Sequence, residues 1–230
     1  MMFHPHGPTF RELMRQALAS TERGYDLLAP KFDLTPFRTP EPVLDAMDGV
    51  IGPVGAALDV CCGTGAMLRH LDGLASDRVA GIDFSHGMLA EARRHVPRAE
   101  LLYGDARDLP FDQEFDVATC VGALGHVEPA DEDRFVGGIA RALRPGGRFV
   151  FATSHRPAAI SPWLWAAHAF NAVMRVRNAV RTPAFVMYYL TFLWPEVRPL
   201  LERHGLAVEA RERLCAPPFQ RAVIVVATRR

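Results

Sequence analysis

From Ala56 to Thr153 short apolar runs alternate with stretches of helical periodicity, and no other feature of the chain constrains its fold as strongly. The runs lie at 56–62, 79–84, 99–105, 115–123 and 147–153. Amphipathic segments at 65–74, 85–96 and 131–143 separate them, the last stopped by Arg144-Pro145-Gly146-Gly147. Apolar strands of this kind suit a parallel sheet buried on both faces, because each strand covers apolar surface above and below. The pattern predicts an α/β fold with a doubly wound sheet. Further runs at 205–208 and 221–226, around Pro217-Pro218, are expected to complete seven strands, mostly parallel with the last antiparallel.

A chain of 230 residues that is 49% hydrophobic and 23% charged can bury one full core. Three parts are expected: a helical N-terminal cap over 1–45, a core over 46–154 and 195–230, and an aromatic-rich lid insert over 155–194. The cap should hold a helix at 9–22, an irregular proline-broken stretch from Tyr25 to Pro42, and a helix at 41–51 with Pro42 in its first turn. The charge is balanced, 26 basic against 26 acidic residues, so no global field draws the protein to nucleic acid or an anionic membrane. Cys61, Cys62, Cys120 and Cys215 show neither metal-ligand nor disulfide spacing. The start, MMFHPHGPTF, has no leader-like pattern, and the apolar runs near 158–167 and 182–195 are interrupted. A cytoplasmic protein without a membrane span is expected.

The strand at 56–62 feeds Gly63-Thr64-Gly65 and then a helix. Glycines there permit positive φ and let a ligand approach the backbone at the carboxyl edge of the sheet. Gly65 is followed by Ala66-Met67 rather than the lysine and hydroxyl residue of a phosphate-binding loop. Leu68 stands where a dinucleotide fingerprint needs a small residue. Asp59 would repel a pyrophosphate but can accept hydrogen bonds from an ammonium group. Asp83, closing the second run, can take both hydroxyls of a ribose. Asp105, after Tyr103-Gly104, can accept from the exocyclic amine of adenine while the Ala106 amide meets a ring nitrogen. Singly each carboxylate also has a local reading, as a turn cap, a helix N-cap or an Asx-turn residue. Together they specify amine, ribose and adenine.

In this combination and order the chain resembles the class I S-adenosylmethionine-dependent methyltransferases over about 56–154. The resemblance rests on the D-x-x-x-G-x-G turn, the acidic residue closing the second strand and the G-D-A element closing the third. Phe115-Asp116-Val117, Ala123-Leu124-Gly125-His126-Val127 and Leu143-Arg144-Pro145-Gly146-Gly147 resemble that family's small-molecule branch. What it implies is a Rossmann-like fold and an enzyme using S-adenosylmethionine. Asp59, Gly63, Thr64 and Gly65 would lie around the methionine part, with the backbone near Cys120 facing it. Asp83 would hold the ribose, Phe84 and Met88 would flank the adenine, and Asp105 and Ala106 would take its edge. Tyr25 resembles an aromatic that covers the cofactor, although Phe32 stands where many relatives have a second tyrosine.

Methyl transfer is an in-line displacement, so positioning and water exclusion supply most of the acceleration, and a base serves only an acceptor that must lose a proton. His126, at the ligand edge after the fourth strand, is the first candidate and His155 the second; the alternative for His126 is a packing or capping role. The residues after the fourth and fifth strands do not resemble the metal site of catechol-type O-methyltransferases, and no metal is expected. Inserts at 155–194 roof the acceptor pocket in this family, so its aromatic content points to a small apolar or aromatic acceptor, or else to a homodimer contact. Arg175, Arg177 and Arg181 would meet an anionic group on the acceptor or form a solvated face. An RNA methyltransferase of the same fold and a non-catalytic S-adenosylmethionine-binding protein are the alternatives. Balanced charge and the lack of an Asn-Pro-Pro-Tyr-type motif argue against RNA.

Overall fold

The structure, a computed structural model, describes residues 4–230. A seven-stranded sheet with order β3-β2-β1-β4-β5-β7-β6 forms its centre. The strands are β1 (Val54–Val60), β2 (Ala75–Asp83), β3 (Glu100–Tyr103), β4 (Phe115–Cys120), β5 (Leu143–Ser154), β6 (Leu206–Glu212) and β7 (Ala222–Arg229). β7 runs antiparallel to both its neighbours, and the other pairings are parallel. This is the expected Rossmann-like sheet.

The two-residue period of the strands sorts side chains to opposite faces. Leu58, Phe149 and Phe151 join a core with Phe135 and Ile139 of α6 (Glu132–Ala142) and Leu201 of α8 (Arg198–Arg203). Their neighbours Ala57 and Val150 point the other way. There they meet α3 (Glu41–Ile51), α4 (Ala66–Leu74) and α5 (His86–His95) through Leu44, Met47, Leu71 and Ala92. Because β1 pairs with β2 on one side and β4 on the other, strand order reverses there. A crevice opens at such a switch point, outside the carboxyl ends of the strands.

The N-terminal segment differs from expectation. The single helix at 9–22 is two, α1 (Phe10–Leu18) and α2 (Thr21–Leu28). Ala19 is extended, and the Ser20 side chain accepts from the Arg23 amide, starting a new helix. Tyr25 therefore sits within α2 and not in an irregular stretch, and a 3-10 turn, Ala29–Leu34, follows.

The insert is more ordered than its composition suggested. It holds a 19-residue helix, α7 (Pro162–Val180). Asn171 and Asn178, two turns apart on α7, each donate to and accept from the backbone of one residue in the returning chain, Tyr189 and Phe185. These paired bonds supply the partners that an irregular segment otherwise lacks. The helix expected from Pro195 begins at Arg198.

Candidate active site

At the switch point the chain leaves β1 through a turn whose geometry only small residues tolerate. Gly63 and Gly65 have φ of 53° and 87°. A Cβ on Gly65 would also lie 3.3 Å from the Ala92 backbone of α5, so this position requires glycine twice over. The Gly63 amide donates to one oxygen of Asp83 at 2.9 Å, and the Ser85 amide donates to the other at 2.9 Å. Asp83 thus braces both loops while lining the cleft. The Thr64 hydroxyl donates to Asp33 at 2.7 Å, tying the turn to the 3-10 segment above it.

Asp59 lies deeper, next to Thr119 in the neighbouring strand, whose hydroxyl donates to it at 2.8 Å. Burial raises the Asp59 carboxyl to about 7 and that of Asp83 to about 6. No lysine or arginine lines the cleft among the described residues, so these two carboxylates face a ligand space without a cation. Such a site favours an ammonium group and a diol.

The raised Asp59 pKa has a consequence for stability. Between 3.8, its ordinary value, and about 7 the folded state holds a proton that the unfolded chain has lost, so stability falls as pH rises through that window. Asp59→Asn is expected to stabilise the ligand-free protein at pH 8 by on the order of 2 kcal/mol, with the gain fading toward pH 4. Thermal unfolding of both proteins across this range checks the sign.

The cap closes the cleft from above. An oxygen of Asp26 accepts from the Ser85 hydroxyl at 2.6 Å and the Gly87 amide at 2.8 Å, seating α2 on the first turn of α5. This places Tyr25 over the turn, its ring 6.1 Å from Phe32 and 6.4 Å from Phe84. The Tyr25 hydroxyl is 2.7 Å from His126 Nε2, and His126 Nδ1 contacts the Val186 carbonyl of the insert. A carbonyl can only accept, so Nδ1 carries the proton and Nε2 accepts from Tyr25. Burial lowers the His126 pKa below 6.5 and holds the imidazole neutral.

A second cavity of about 810 Å³ lies between α1 and α7 and borders the cleft. Its own walls include Leu13, Met14, Phe170, Met174, Phe185 and Met187. The two spaces share Tyr25, Phe32, Phe37, Gly122 and His126. The volume falls in the range of small-molecule sites.

Residues 57–147 match the methyltransferase domain family. The match covers the part of the chain that runs from β1 into β5. An uncharacterized methyltransferase of Synechocystis is 38% identical over 50% of this chain and 53% of its own. A demethylmenaquinone methyltransferase of Paenarthrobacter aurescens is 34% identical over 69% of this chain and 63% of its own. The chain thus spans about half to two thirds of the curated relatives it matches. In fold it is similar to DhpI, solved as a complex with S-adenosylhomocysteine, at a TM-score of 0.66 and 22% identity, covering 95% of this chain and 98% of that one.

Of the site residues read from sequence, Tyr25, Asp59, Gly63, Thr64, Asp83, Phe84, Met88 and His126 converge on the cleft, and Gly65 shapes its turn. Asp105 and Ala106 lie outside the cleft wall; the Asp105 carboxylate is held by the Arg107 guanidinium, which keeps its pKa low. Cys120 is buried beneath the wall, which Val121, Gly122 and Ala123 form. His155 is exposed and pairs with Glu212 at 3.0 Å, away from the cleft. Arg177 and Arg181 donate to the Ala19 and Leu18 carbonyls at the end of α1, and Arg175 lies over the Tyr188 ring. Arg177 and Arg181 thus fasten the insert to the cap, while the Arg175 contact stays within the insert. Asp45, Asp48 and His70 lie close enough to ligate an ion, on α3 and α4 outside the cleft. Phe37, Thr39 and Asp33, absent from the sequence reading, come from the proline-broken stretch, where no periodicity marks them. Gly122, with φ of 74°, was the one detectable signal among the missed residues.

Proposed function

We propose that this chain is a methyltransferase that moves the methyl group of S-adenosylmethionine to a small, largely apolar acceptor. The observation that carries the reading is the shared boundary of the two spaces: a cleft with two uncompensated carboxylates adjoins an apolar cavity at Tyr25, Phe37, Gly122 and His126. Bound S-adenosylmethionine supplies a sulfonium methyl. Asp59 would accept from its ammonium group, Asp83 from the ribose hydroxyls, and Phe84 and Met88 would flank the adenine. Gly63, Thr64 and Gly65, with the backbone after Cys120, would border the methionine part. Asp105 and Ala106 would reach the adenine edge only with Arg107 displaced or shared. The apolar walls between α1 and α7 would hold the acceptor, exclude water and aim it across the shared boundary.

The relatives named demethylmenaquinone methyltransferases support a small-molecule acceptor, and DhpI with S-adenosylhomocysteine supports the cofactor. Among the described residues no helix is long and apolar enough to cross a membrane. Calorimetric titration with S-adenosylhomocysteine should give one-to-one binding, and NAD should give none. Label should then pass from methyl-tritiated S-adenosylmethionine to some member of a panel of apolar phenols and quinols. Absence of S-adenosylhomocysteine binding would sink the reading.

A further inference from the structure

The global charge balance hides a local segregation. Residues 155–195 contain no aspartate or glutamate but include Arg156, Arg175, Arg177 and Arg181, so the rest of the chain is net acidic. Arg156 pairs with Glu196, whereas Arg175, Arg177 and Arg181 have no carboxylate partner among the described residues. These three stand in the second half of α7 and just beyond it.

The same helix carries an apolar face with nothing packed on it. Trp165, Val173, Val176 and Val180 are 64%, 65%, 64% and 80% exposed. With exposed Ala169 and Ala172 they follow the three- and four-residue spacing of one helix face. Phe10, Met14 and Leu18 form an exposed stripe on α1. α1 is tied to the end of α7 by the Arg177 and Arg181 bonds, and the 810 Å³ cavity lies between the two helices. Phe10 and Met14 therefore belong both to the exposed stripe and to the cavity wall.

We propose that the α7 outer face and the α1 stripe dock on the surface of a bilayer rich in anionic lipid, with the cavity opening toward it. A helix with an apolar face of valine and tryptophan, flanked by arginines, lies in the interface and gains from both burial and charge. Among the described residues no helix is long and apolar enough to cross the bilayer. Charge decides between this occupant and a second copy of the chain: residues 155–195 offer no aspartate or glutamate to answer the three arginines of a second copy laid against this face, whereas anionic headgroups neutralise them. The inference rests on the surface alone and goes beyond the methyl-transfer reading; cofactor titration and vesicle binding fail independently.

Sedimentation with sucrose-loaded vesicles tests it. The protein should pellet with vesicles of equal parts phosphatidylcholine and phosphatidylglycerol, and stay in the supernatant with phosphatidylcholine alone or at high salt. Val173→Glu/Val176→Glu, at exposed sites that leave the fold intact, should weaken binding about tenfold or more with an unchanged melting temperature. Arg175→Glu provides a single-site check should the double variant melt early. No pelleting with the anionic vesicles overturns the proposal, as does equal pelleting of wild type and variants. A dimeric mass in solution that the double variant converts to a monomeric one also overturns it, assigning the face to self-association.

Discussion

Asp83→Ala is expected to weaken S-adenosylhomocysteine binding on the order of 100- to 1000-fold, about 3–4 kcal/mol, measured by calorimetric titration. Loss of the ribose hydrogen bonds alone would give roughly 1–3 kcal/mol. The larger figure follows from what else the carboxylate does. Its two oxygens accept from the Gly63 and Ser85 amides, so removing them also releases the glycine turn and the start of α5 from each other. Both loops border the cleft, and an unbraced turn must be ordered again when the ligand binds. Asp83→Asn separates the contributions: its side-chain carbonyl keeps one acceptor, while its NH₂ faces an amide donor. It should lose affinity, though less than the alanine variant. Burial already raises the Asp83 carboxyl to about 6, so wild-type affinity should also decline as the pH drops below that value and the acceptor becomes a neutral acid. Wild-type affinity in the alanine variant would remove Asp83 from the binding site.

How far the sequence reached depended on whether a residue's partner was local or distant. Strands β1, β2, β4 and β5 were legible because a two-sided buried strand must be apolar nearly throughout, and the turn after β1 because positive φ restricts residue choice to a few types. Asp59 and Asp83 were legible for the same reason: a strand end fixes where its last side chains point. Asp105 shows the limit. It was read as closing the third strand, which stops at Tyr103, and Arg107, two residues on, was not weighed as a competitor, though in the structure it takes the carboxylate. Arg177 and Arg181 were read as facing an acceptor or solvent, yet they satisfy carbonyls 158 and 163 residues away, a pairing that no local pattern reveals. The cap was misread at Ser20, where an N-cap residue sits inside an otherwise continuous helical period. That break is what turns Tyr25 toward the cleft.

His126→Gln is expected to lower turnover by roughly 10²- to 10⁴-fold on an acceptor that must lose a hydroxyl proton, with S-adenosylhomocysteine affinity nearly unchanged. The reason lies in a fixed tautomer. Because the Val186 carbonyl occupies Nδ1, the Nε2 lone pair points at the Tyr25 hydroxyl, which stands where the cleft and the apolar cavity meet. Tyr25 can pass its own proton to Nε2 while taking the acceptor's, so no ion need form on the tyrosine, whose ionisation burial opposes. Tyr25→Phe breaks that relay and should also slow turnover; the double variant should be no slower than the worse single one, since the pair acts as a unit. The pH profile supplies an independent readout. A base works only when neutral, and burial lowers the His126 pKa below 6.5, so wild-type turnover should stay level through neutrality and fall only on the acid side of 6.5. That acid limb should vanish in His126→Gln. Should His126→Gln turn over at the wild-type rate with the same acid limb, the imidazole only joins the cap to the insert, and the acceleration comes from positioning alone.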